Sequence, residues 1–293
     1  MASVYLDGTL VDEGAARIAP DDRGFLLGDG LFETLRARGG SFFRPRAHLD
    51  RLAASAERLG IPLPEDIDVL ERALSATLAA NRLEAADAVV RLTLTRGAGP
   101  RGVLPPDKPT PTLLIAAYPL EAPPGAPGPA PGTPATLHTV NEIRRNERSP
   151  LATLKSLNYL DGVLARSAAH GAGADEALLL NTKGRIAEAS AANFFLVENG
   201  DLATPPPSEG VLPGITRAVV LELADELGLP VREEPLEPGR IETAAEGFLT
   251  NAVIGLRPVG AVDANQFAAP GPVTVSLVAA FDALVAREAG VSG

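Results

Sequence analysis

The sequence has no cysteine and only three histidines, His48, His138 and His170, which are widely spaced. The lack of cysteine excludes disulfides, thiolate nucleophiles and thiolate metal ligands, and the histidine spacing argues against a histidine-rich metal site. No apolar run reaches the ~18–20 residues that span a bilayer, and the N-terminus lacks the features of a signal peptide. We therefore expect a cytoplasmic protein without membrane contacts.

Lysine is also scarce, because only three of the 26 basic residues are lysines: Lys108, Lys155 and Lys183. The net charge of −11 argues against a broad nucleic-acid footprint. A single anionic ligand remains compatible with this charge, since it needs only a few well-placed donors. Any chemistry that uses a covalent lysine has three candidates.

What is present indicates a two-domain α+β protein. The 293 residues suit two domains of ~150 residues each, and helices and strands mix without a regular βαβ repeat. The segment PLEAPPGAPGPAPGTP is too rich in proline and glycine for a helix or strand. We predict an N-terminal domain over 1–118, a linker over 119–133 and a C-terminal domain over 134–293. A long surface loop inside one domain is the alternative.

Turn residues and apolar periodicity predict the main elements. Asp7-Gly8 suits the turn of a hairpin, and leucines and alanines at helical spacing predict a helix that stops at Gly60. Alternation predicts strands in ADAVVRLTLTRG, TPTLLIAAYPL and ATLHTVNEIR. We further predict a helix starting near Ser156, a hairpin through Thr182–Arg185, a helix after Pro213-Gly214 and a final amphipathic helix in GPVTVSLVAAFDALVAREAG.

Lys155 is the strongest candidate for covalent chemistry. Lysine forms Schiff bases because its amine becomes nucleophilic when desolvated. Lys108 lies among prolines and Lys183 at a predicted hairpin tip, whereas Lys155 lies between leucines where a core would cover it. A lysine that extends along the surface is the alternative.

Two further side chains strengthen the case for Lys155. Tyr159 follows four residues later, so a helix from Ser156 would return its phenol to the same side. Glu188 stands at the end of a predicted strand, where a carboxylate can keep a cofactor ring nitrogen protonated. An ordinary solvated carboxylate at a strand end is the alternative for Glu188.

Two segments offer donors for a phosphate group. The start of the helix in VLPGITRAVV presents backbone N–H groups where the helix dipole favours an anion, although an ordinary helix cap is the alternative. The turn in FLTNAVIG is a second candidate. The candidate donors are Gly214, Ile215, Thr216, Thr250 and Asn251. Arg51 would add a fixed positive charge, unless it is only a surface arginine of its helix.

Together these motifs resemble the class-IV aminotransferases, enzymes that use pyridoxal 5′-phosphate (PLP) and have the fold-type IV architecture. The resemblance runs over nearly the whole chain, through DRGFLLGDGLFET, HLDRLAASAERL, TLKSLNYLDGVLARSAA, GRIAEASAANFFLV, GVLPGITR and FLTNAVIGLRPV. Each motif is modest, but their order and spacing match the family throughout.

The resemblance implies roles for individual residues. Lys155 becomes the Schiff-base lysine and proton shuttle, Glu188 the partner of the pyridine nitrogen and Tyr159 the partner of the ring hydroxyl. The resemblance also makes Arg51, Ile215 and Thr216 phosphate contacts, beside the further candidate donors Gly214, Thr250, Asn251 and Ala252. Arg96 and Arg101 become substrate contacts, and we add Phe25, Thr34 and Arg36 as candidates because their loop shapes the carboxylate pocket. The family also implies a homodimer with the active site at the domain boundary, where the loop TRGAGPRG reaches the neighbouring subunit's substrate. From its residues alone, without the resemblance, this glycine-rich loop would be interpreted as a plain turn.

Three functions remain open from the sequence. The leading one is transfer of an amino group from an amino acid to a 2-oxo acid. The second is 4-amino-4-deoxychorismate lyase activity, favoured by Thr34, by the RGxGxRG pattern and by Ala252 where aminotransferases often have threonine. Val103, where lyases usually have tyrosine, argues against it. The third is a PLP-binding module without catalysis, which the retained Lys155 and Glu188 disfavour.

Overall fold

The computed structural model describes residues 2–120 and 133–289, so most of the predicted linker, residues 119–133, lies outside the described residues. The chain forms two compact units. Among the described residues, the first unit contains 2–120, 154–158 and 286–289, and the second contains 133–153 and 159–285. In this described part, no helix is both long and apolar enough to cross a membrane.

The first unit contains an antiparallel sheet covered by helices. Its strands are β1 (Ser3–Leu6), β2 (Thr9–Asp12), β3 (Gly30–Arg38), β4 (Ser41–Phe42), β5 (Ala88–Thr95) and β6 (Thr112–Pro119). They follow the order β2-β1-β6-β5-β3-β4. Its helices are α1 (Arg23–Leu27), α2 (Pro45–Leu59) and α3 (Ile67–Ala80). Leu35 of β3 and Leu92 of β5 pack in one core with leucines of α2 and α3. Because successive strand residues point to opposite faces, the residues next to them in sequence lie on the other face of the sheet.

The second unit contains a mixed sheet. Its strands are β7 (Ala135–Arg145), β8 (Glu176–Asn181), β9 (Ile186–Ala189), β10 (Asn193–Glu198), β11 (Asp201–Thr204), β12 (Val231–Glu233), β13 (Glu246–Asn251), β14 (Gly255–Val262) and β15 (Asn265–Gln266). The order is β12-β11-β10-β13-β14-β7-β8-β9, with β15 paired to β14. The helices are α4 (Leu160–Gly171), α5 (Ile215–Glu226) and α6 (Pro272–Ala289), whose last residues, from 286, belong to the first unit. Strands β10 and β13 bury Phe195 and Phe248, whose rings stack 4.8 Å apart.

The turn and helix-end predictions are confirmed. Asp7 and Gly8 both have positive φ, 46° and 93°, in the turn between β1 and β2, and Gly60 ends α2 in the left-handed conformation. The predicted hairpin through Thr182–Arg185 joins β8 to β9. The α+β class is confirmed as well.

The predicted helix start near Ser156 is wrong, because α4 begins at Leu160. Residues 155–157 pair with β3 instead: the Leu157 N–H donates to the Gly30 carbonyl at 2.9 Å. These backbone hydrogen bonds to a strand far away in the sequence replace the helical ones. Tyr159 therefore flanks the helix as its N-cap residue, and the helical spacing that linked it to Lys155 does not apply.

Candidate active site

Lys155 lies in the short segment that pairs with β3 in the first unit. The Phe32 N–H donates to the Lys155 carbonyl at 2.9 Å, and the Lys155 Nζ lies 4.3 Å from the centroid of the Phe32 ring. Lys108 and Lys183 are exposed, whereas Lys155 is half-buried in a paired segment. Strand β3 therefore holds the backbone of Lys155 and keeps its amine against an aromatic ring.

The face of β3 that carries Phe32 also carries two of the predicted substrate residues. Strand alternation places Thr34 and Arg36 on this face. Arg91 of β5 stands directly opposite Thr34, and its guanidinium carbon lies 3.7 Å from the Phe32 ring centroid. The sequence interpretation did not include Arg91. The alternation in ADAVVRLTLTRG would have found it, because this pattern places Arg91 opposite the buried face.

Arg51 belongs to a buried cluster on the other face of β3. Its guanidinium donates to both oxygens of Glu33, at 2.8 and 2.7 Å, and His48 contacts the same carboxylate at 2.8 Å. Burial by itself would raise the pKa of Glu33, but the hydrogen bonds from His48 and Arg51 outweigh it and lower that pKa. Arg51 is therefore held in place by an ionised carboxylate.

Arg96 is held by backbone and side-chain contacts within the first unit. Its guanidinium donates to Asp29 at 2.8 Å and to the carbonyls of Leu59 and Gly60 at 2.8 and 3.0 Å. Burial would raise the pKa of Asp29, but hydrogen bonds from Arg96 and Arg23 lower it. These contacts fix the base of the predicted substrate loop to the end of α2.

The predicted substrate residues of the first unit do not all lie together. Arg36 forms an ion pair with Asp87 at 2.5 Å, Arg101 is exposed and Phe25 is 80% exposed. The structure thus groups Thr34 and Arg36 on the face that carries Phe32, whereas Phe25 lies on α1 and Arg101 in the loop after β5.

Glu188 lies in β9 of the second unit, where the residue is 7% exposed. One carboxylate oxygen pairs with Arg145 at 2.9 Å. The other accepts from Asn193 Nδ2 and from the Leu212 N–H, both at 3.1 Å. Hydrogen bonds and ion pairs of this kind favour the charged form of a carboxylate in general. Arg145, Asn193 and Leu212 were not recognised in the sequence, because nothing in their local patterns signals these long-range contacts.

The N-terminus of α5 lies beside this carboxylate. Gly214 is its N-cap residue and supplies no side-chain cap, so the first N–H groups of α5, including those of Ile215 and Thr216, lack partners within the helix. A Cβ at Gly214 would lie 2.1 Å from Asn193 Oδ1. Glycine is therefore required here by the lack of space.

Thr250 lies beside Asn193 on the neighbouring strand. It is paired with Asn193 across β10 and β13, so the two side chains project from the same side of the sheet. The Thr250 hydroxyl is buried and has no hydrogen-bond partner within the described residues. Such a group is unusual in a folded protein and calls for an explanation, such as a ligand.

The turn after Thr250 is shaped by Asn251. Its Oδ1 accepts from the N–H groups of Val253 and Ile254, both at 2.9 Å, and Ala252 lies within this turn between β13 and β14. Tyr159, predicted to contact the cofactor, lies at the start of α4. Its ring passes close to Gly162, because a Cβ there would be 3.6 Å from Tyr159 Cδ1.

This chain is similar to one known protein family and to several of its members. The family model for amino-transferase class IV matches residues 30–262. A putative branched-chain-amino-acid aminotransferase of Methanocaldococcus jannaschii is 40% identical over 89% of this chain and 88% of its own length. A D-alanine aminotransferase of Listeria innocua is 32% identical over 98% and 97%.

Solved structures agree with these relatives. The Escherichia coli branched-chain amino acid aminotransferase superposes with a TM-score of 0.90 at 31% identity, over 98% of this chain and 95% of that one. A putative 4-amino-4-deoxychorismate lyase from Legionella pneumophila gives 0.84 at 32%, over 93% and 97%. The T.th. branched-chain amino acid aminotransferase with pyridoxamine 5′-phosphate gives 0.87 at 27%, over 99% and 95%.

The order of motifs, the fold and these matches agree with one another. The fold-type IV architecture is confirmed by the TM-score of 0.90. The family model covers residues 30–262, well over half of the chain, and the relatives exceed 30% identity over most of its length. The chain therefore belongs to the class-IV aminotransferase family.

Proposed function

We propose that this class-IV aminotransferase uses PLP, bound through Lys155, to transfer an amino group from an amino acid to a 2-oxo acid. The observation that supports the cofactor most strongly is the arrangement around Asn193 in the second unit. The Glu188 carboxylate accepts a hydrogen bond from this side chain, Gly214 at the start of α5 lies against it, and Thr250, whose buried hydroxyl has no partner among the described residues, is paired with Asn193 across the sheet. They fit the needs of a phosphorylated pyridine, namely an anion for the ring nitrogen and donors for the phosphate.

Each of these groups has a defined task in the proposal. Bound PLP supplies an electron-withdrawing ring that stabilises negative charge on the substrate carbon. Glu188, positioned by its contacts with Arg145, Asn193 and Leu212, accepts a hydrogen bond from the ring nitrogen. The N–H groups of Ile215 and Thr216 and the Thr250 hydroxyl bind the phosphate, since a helix N-terminus favours an anion. Asn251 and Ala252 contribute through the backbone of their turn, Arg51 adds a positive charge and Tyr159 contacts the ring hydroxyl.

Lys155 provides both the covalent attachment and the proton transfer. Once the amino group of the substrate has displaced it from the cofactor, its free Nζ would accept the proton from the substrate Cα and later donate it, so the same amine would act first as base and then as acid. The pairing of residue 155 with β3 keeps this amine against Phe32. We propose Arg91, on the same face as Thr34, as the cation that binds a substrate carboxylate.

Lyase activity is the second candidate. The similarity to the Legionella pneumophila putative lyase, at 32% identity, favours it, as do Thr34 and Ala252. Both reactions would use Lys155 and Glu188 in the same way, so the difference lies in the substrate. An aminotransferase leaves the amino group on the cofactor, whereas a lyase releases pyruvate and 4-aminobenzoate.

A spectroscopic experiment separates the two activities. The PLP-loaded protein is mixed with L-leucine, L-glutamate or D-alanine, one at a time, and the cofactor absorbance is followed. Conversion to the aminated cofactor identifies an aminotransferase and its stereochemical preference. No conversion with any donor, together with 4-aminobenzoate formed from aminodeoxychorismate, would replace the proposal with the lyase.

We also propose that the enzyme is a cytoplasmic homodimer that acts on small molecules. Phe25, Val103 and Leu104 are 80%, 85% and 81% exposed, and Arg23 ties α1 to this loop through the carbonyls of Val103 and Leu104. Large exposed apolar groups that are held rigidly suit a subunit contact. Light scattering on the purified protein tests this: the mass of a monomer would contradict it.

A further inference from the structure

The side chain of Asn193 lies between the groups that the proposed function assigns to opposite ends of the cofactor. Its Nδ2 donates to Glu188 Oε2 at 3.1 Å and to the Leu212 carbonyl at 2.9 Å. Leu212 in turn donates its own N–H to the same Glu188 oxygen at 3.1 Å. The carboxylate, the amide and the loop before α5 thus form a closed ring of hydrogen bonds.

The orientation of this amide is fixed by chemistry. Both of its nitrogen contacts are to oxygen acceptors, so exchange of Nδ2 and Oδ1 would leave oxygen facing oxygen. In the observed orientation Oδ1 occupies the space beside Gly214, where a Cβ would approach it to 2.1 Å. Gly214 has an ordinary φ of −71°, so its lack of a side chain makes room for Asn193.

The loop before α5 is also held from the other side of Glu188. Arg145 pairs with Glu188 Oε1 at 2.9 Å and donates through Nε to the Gly210 carbonyl at 3.0 Å. The two oxygens of one carboxylate are therefore connected to residues 210 and 212 of the loop that leads into the phosphate cradle. Asn193 is 5% exposed, and hydrogen bonds in such a site are stronger than in water.

We propose that Asn193 is a positioning residue that couples recognition of the cofactor ring to recognition of its phosphate. The inference rests on the proposed function, because Glu188 must face the ring and the start of α5 must face the phosphate. An anion that orders Gly214 and Leu212 also orders Asn193 and, through it, the Glu188 carboxylate. By linkage, a ring bound at Glu188 must strengthen phosphate binding by the same factor.

Two separate probes measure this coupling in the full-length protein freed of cofactor. Pyridoxal has the ring without the phosphate, and inorganic phosphate has only the other end. The dissociation constant of pyridoxal is measured by equilibrium dialysis, first alone and then with saturating phosphate. The ratio of the two constants is the coupling factor. We expect a factor of about five or more for the unmodified protein, the lower end of the range for coupled sites.

Asn193→Ala and Asn193→Leu are expected to reduce this factor to about one. The leucine approximates the shape of the side chain but lacks the donor and adds no charge beside Glu188, so it carries the test if the alanine variant does not fold. Asn265→Ala is the matched control, since the Asn265 amide donates only weakly, at 3.5 Å, to the Val262 carbonyl in the β14–β15 turn. The control should keep the original factor.

Two results would overturn the inference. One is a factor of about one in the unmodified protein. The other is an unchanged factor in both Asn193 variants, including the case in which the affinities for pyridoxal and phosphate fall equally, which is the result that a merely structural amide would give. Failure of the unmodified protein to bind pyridoxal or PLP at all is a different outcome, and it would reject the proposed function itself.

Discussion

Glu33 and Glu188 are both buried carboxylates beside an arginine, but their surroundings differ. Glu33 is held by two side chains of a single helix, His48 and Arg51, and its side chain is 1% exposed. Glu188 is held by Arg145, Asn193 and Leu212 from three separate segments, and its side chain is 10% exposed. The first arrangement fixes a cation, whereas the second leaves an anion partly open beside the start of α5. A buried acid is thus a functional candidate when its donors come from several segments that surround a possible ligand site.

Glu33→Gln should cause the largest loss of stability, which would distinguish the structural role of Glu33 from the functional role of Glu188. The change leaves Arg51 without its buried counter-charge, and breaking a buried ion pair typically costs about 3–5 kcal/mol of unfolding free energy. Urea denaturation of the variant measures this loss. The double variant Glu33→Gln, Arg51→Met should be more stable than the single one, because the uncompensated charge is gone. A single variant as stable as the original chain would show that Glu33 has no such role.

Glu188→Gln should instead lower activity while leaving the fold intact. A neutral amide cannot stabilise a protonated ring nitrogen, and loss of one preorganised electrostatic contact typically lowers kcat by about 10²–10³. Steady-state kinetics measure this, and a thermal melt shows whether the fold is kept. Glu246→Gln is a control: this buried acid accepts hydrogen bonds from the N–H groups of Val273 and Thr274 at the start of α6. If Glu188→Gln keeps full kcat, the ring-partner assignment is wrong.

The sequence predicted the local features of both regions better than their long-range contacts. Gly60, Asp7-Gly8 and Pro213-Gly214 specify turns and helix ends through their own backbone preferences, and these predictions are confirmed. Lys155 was singled out by its leucine neighbours. The start of α4 was missed because residues 155–157 pair with β3, more than a hundred residues earlier. Arg145 and Asn193 showed no local signal, since the groups they contact are brought together only by the fold.

Arg91→Lys should weaken substrate binding, whereas the corresponding change on the opposite face of β3 should affect the cofactor. Lysine keeps the charge but loses the planar, bidentate contact to a carboxylate, and a hydrogen bond to a charged group contributes about 1.5–3 kcal/mol. We therefore expect KM for the amino acid to rise about tenfold or more, with a smaller change in kcat. Arg51→Lys, on the opposite face, should alter cofactor affinity rather than KM. An unchanged KM in Arg91→Lys would remove Arg91 from the substrate site.

The smallest predicted effect is a difference in acid stability. The folded-state pKa of Glu33 is lowered, so its stabilising contribution is fully present above the unfolded pKa of about 4.3 and is lost as the pH falls further. The unfolding free energy of the original chain should therefore fall more steeply below about pH 4.3 than that of Glu33→Gln. Equal slopes for the two proteins would mean that Glu33 is not ionised against His48 and Arg51.

The central claim is that the amine of Lys155 is the site of cofactor attachment. PLP-loaded protein is reduced with borohydride, digested and mapped by mass spectrometry, with Lys155→Ala and Lys183→Ala treated in parallel. The account predicts a phosphopyridoxyl group on the peptide that contains Lys155, its loss in Lys155→Ala and its retention in Lys183→Ala. A label on Lys108 or Lys183, or none on the original chain, would contradict it.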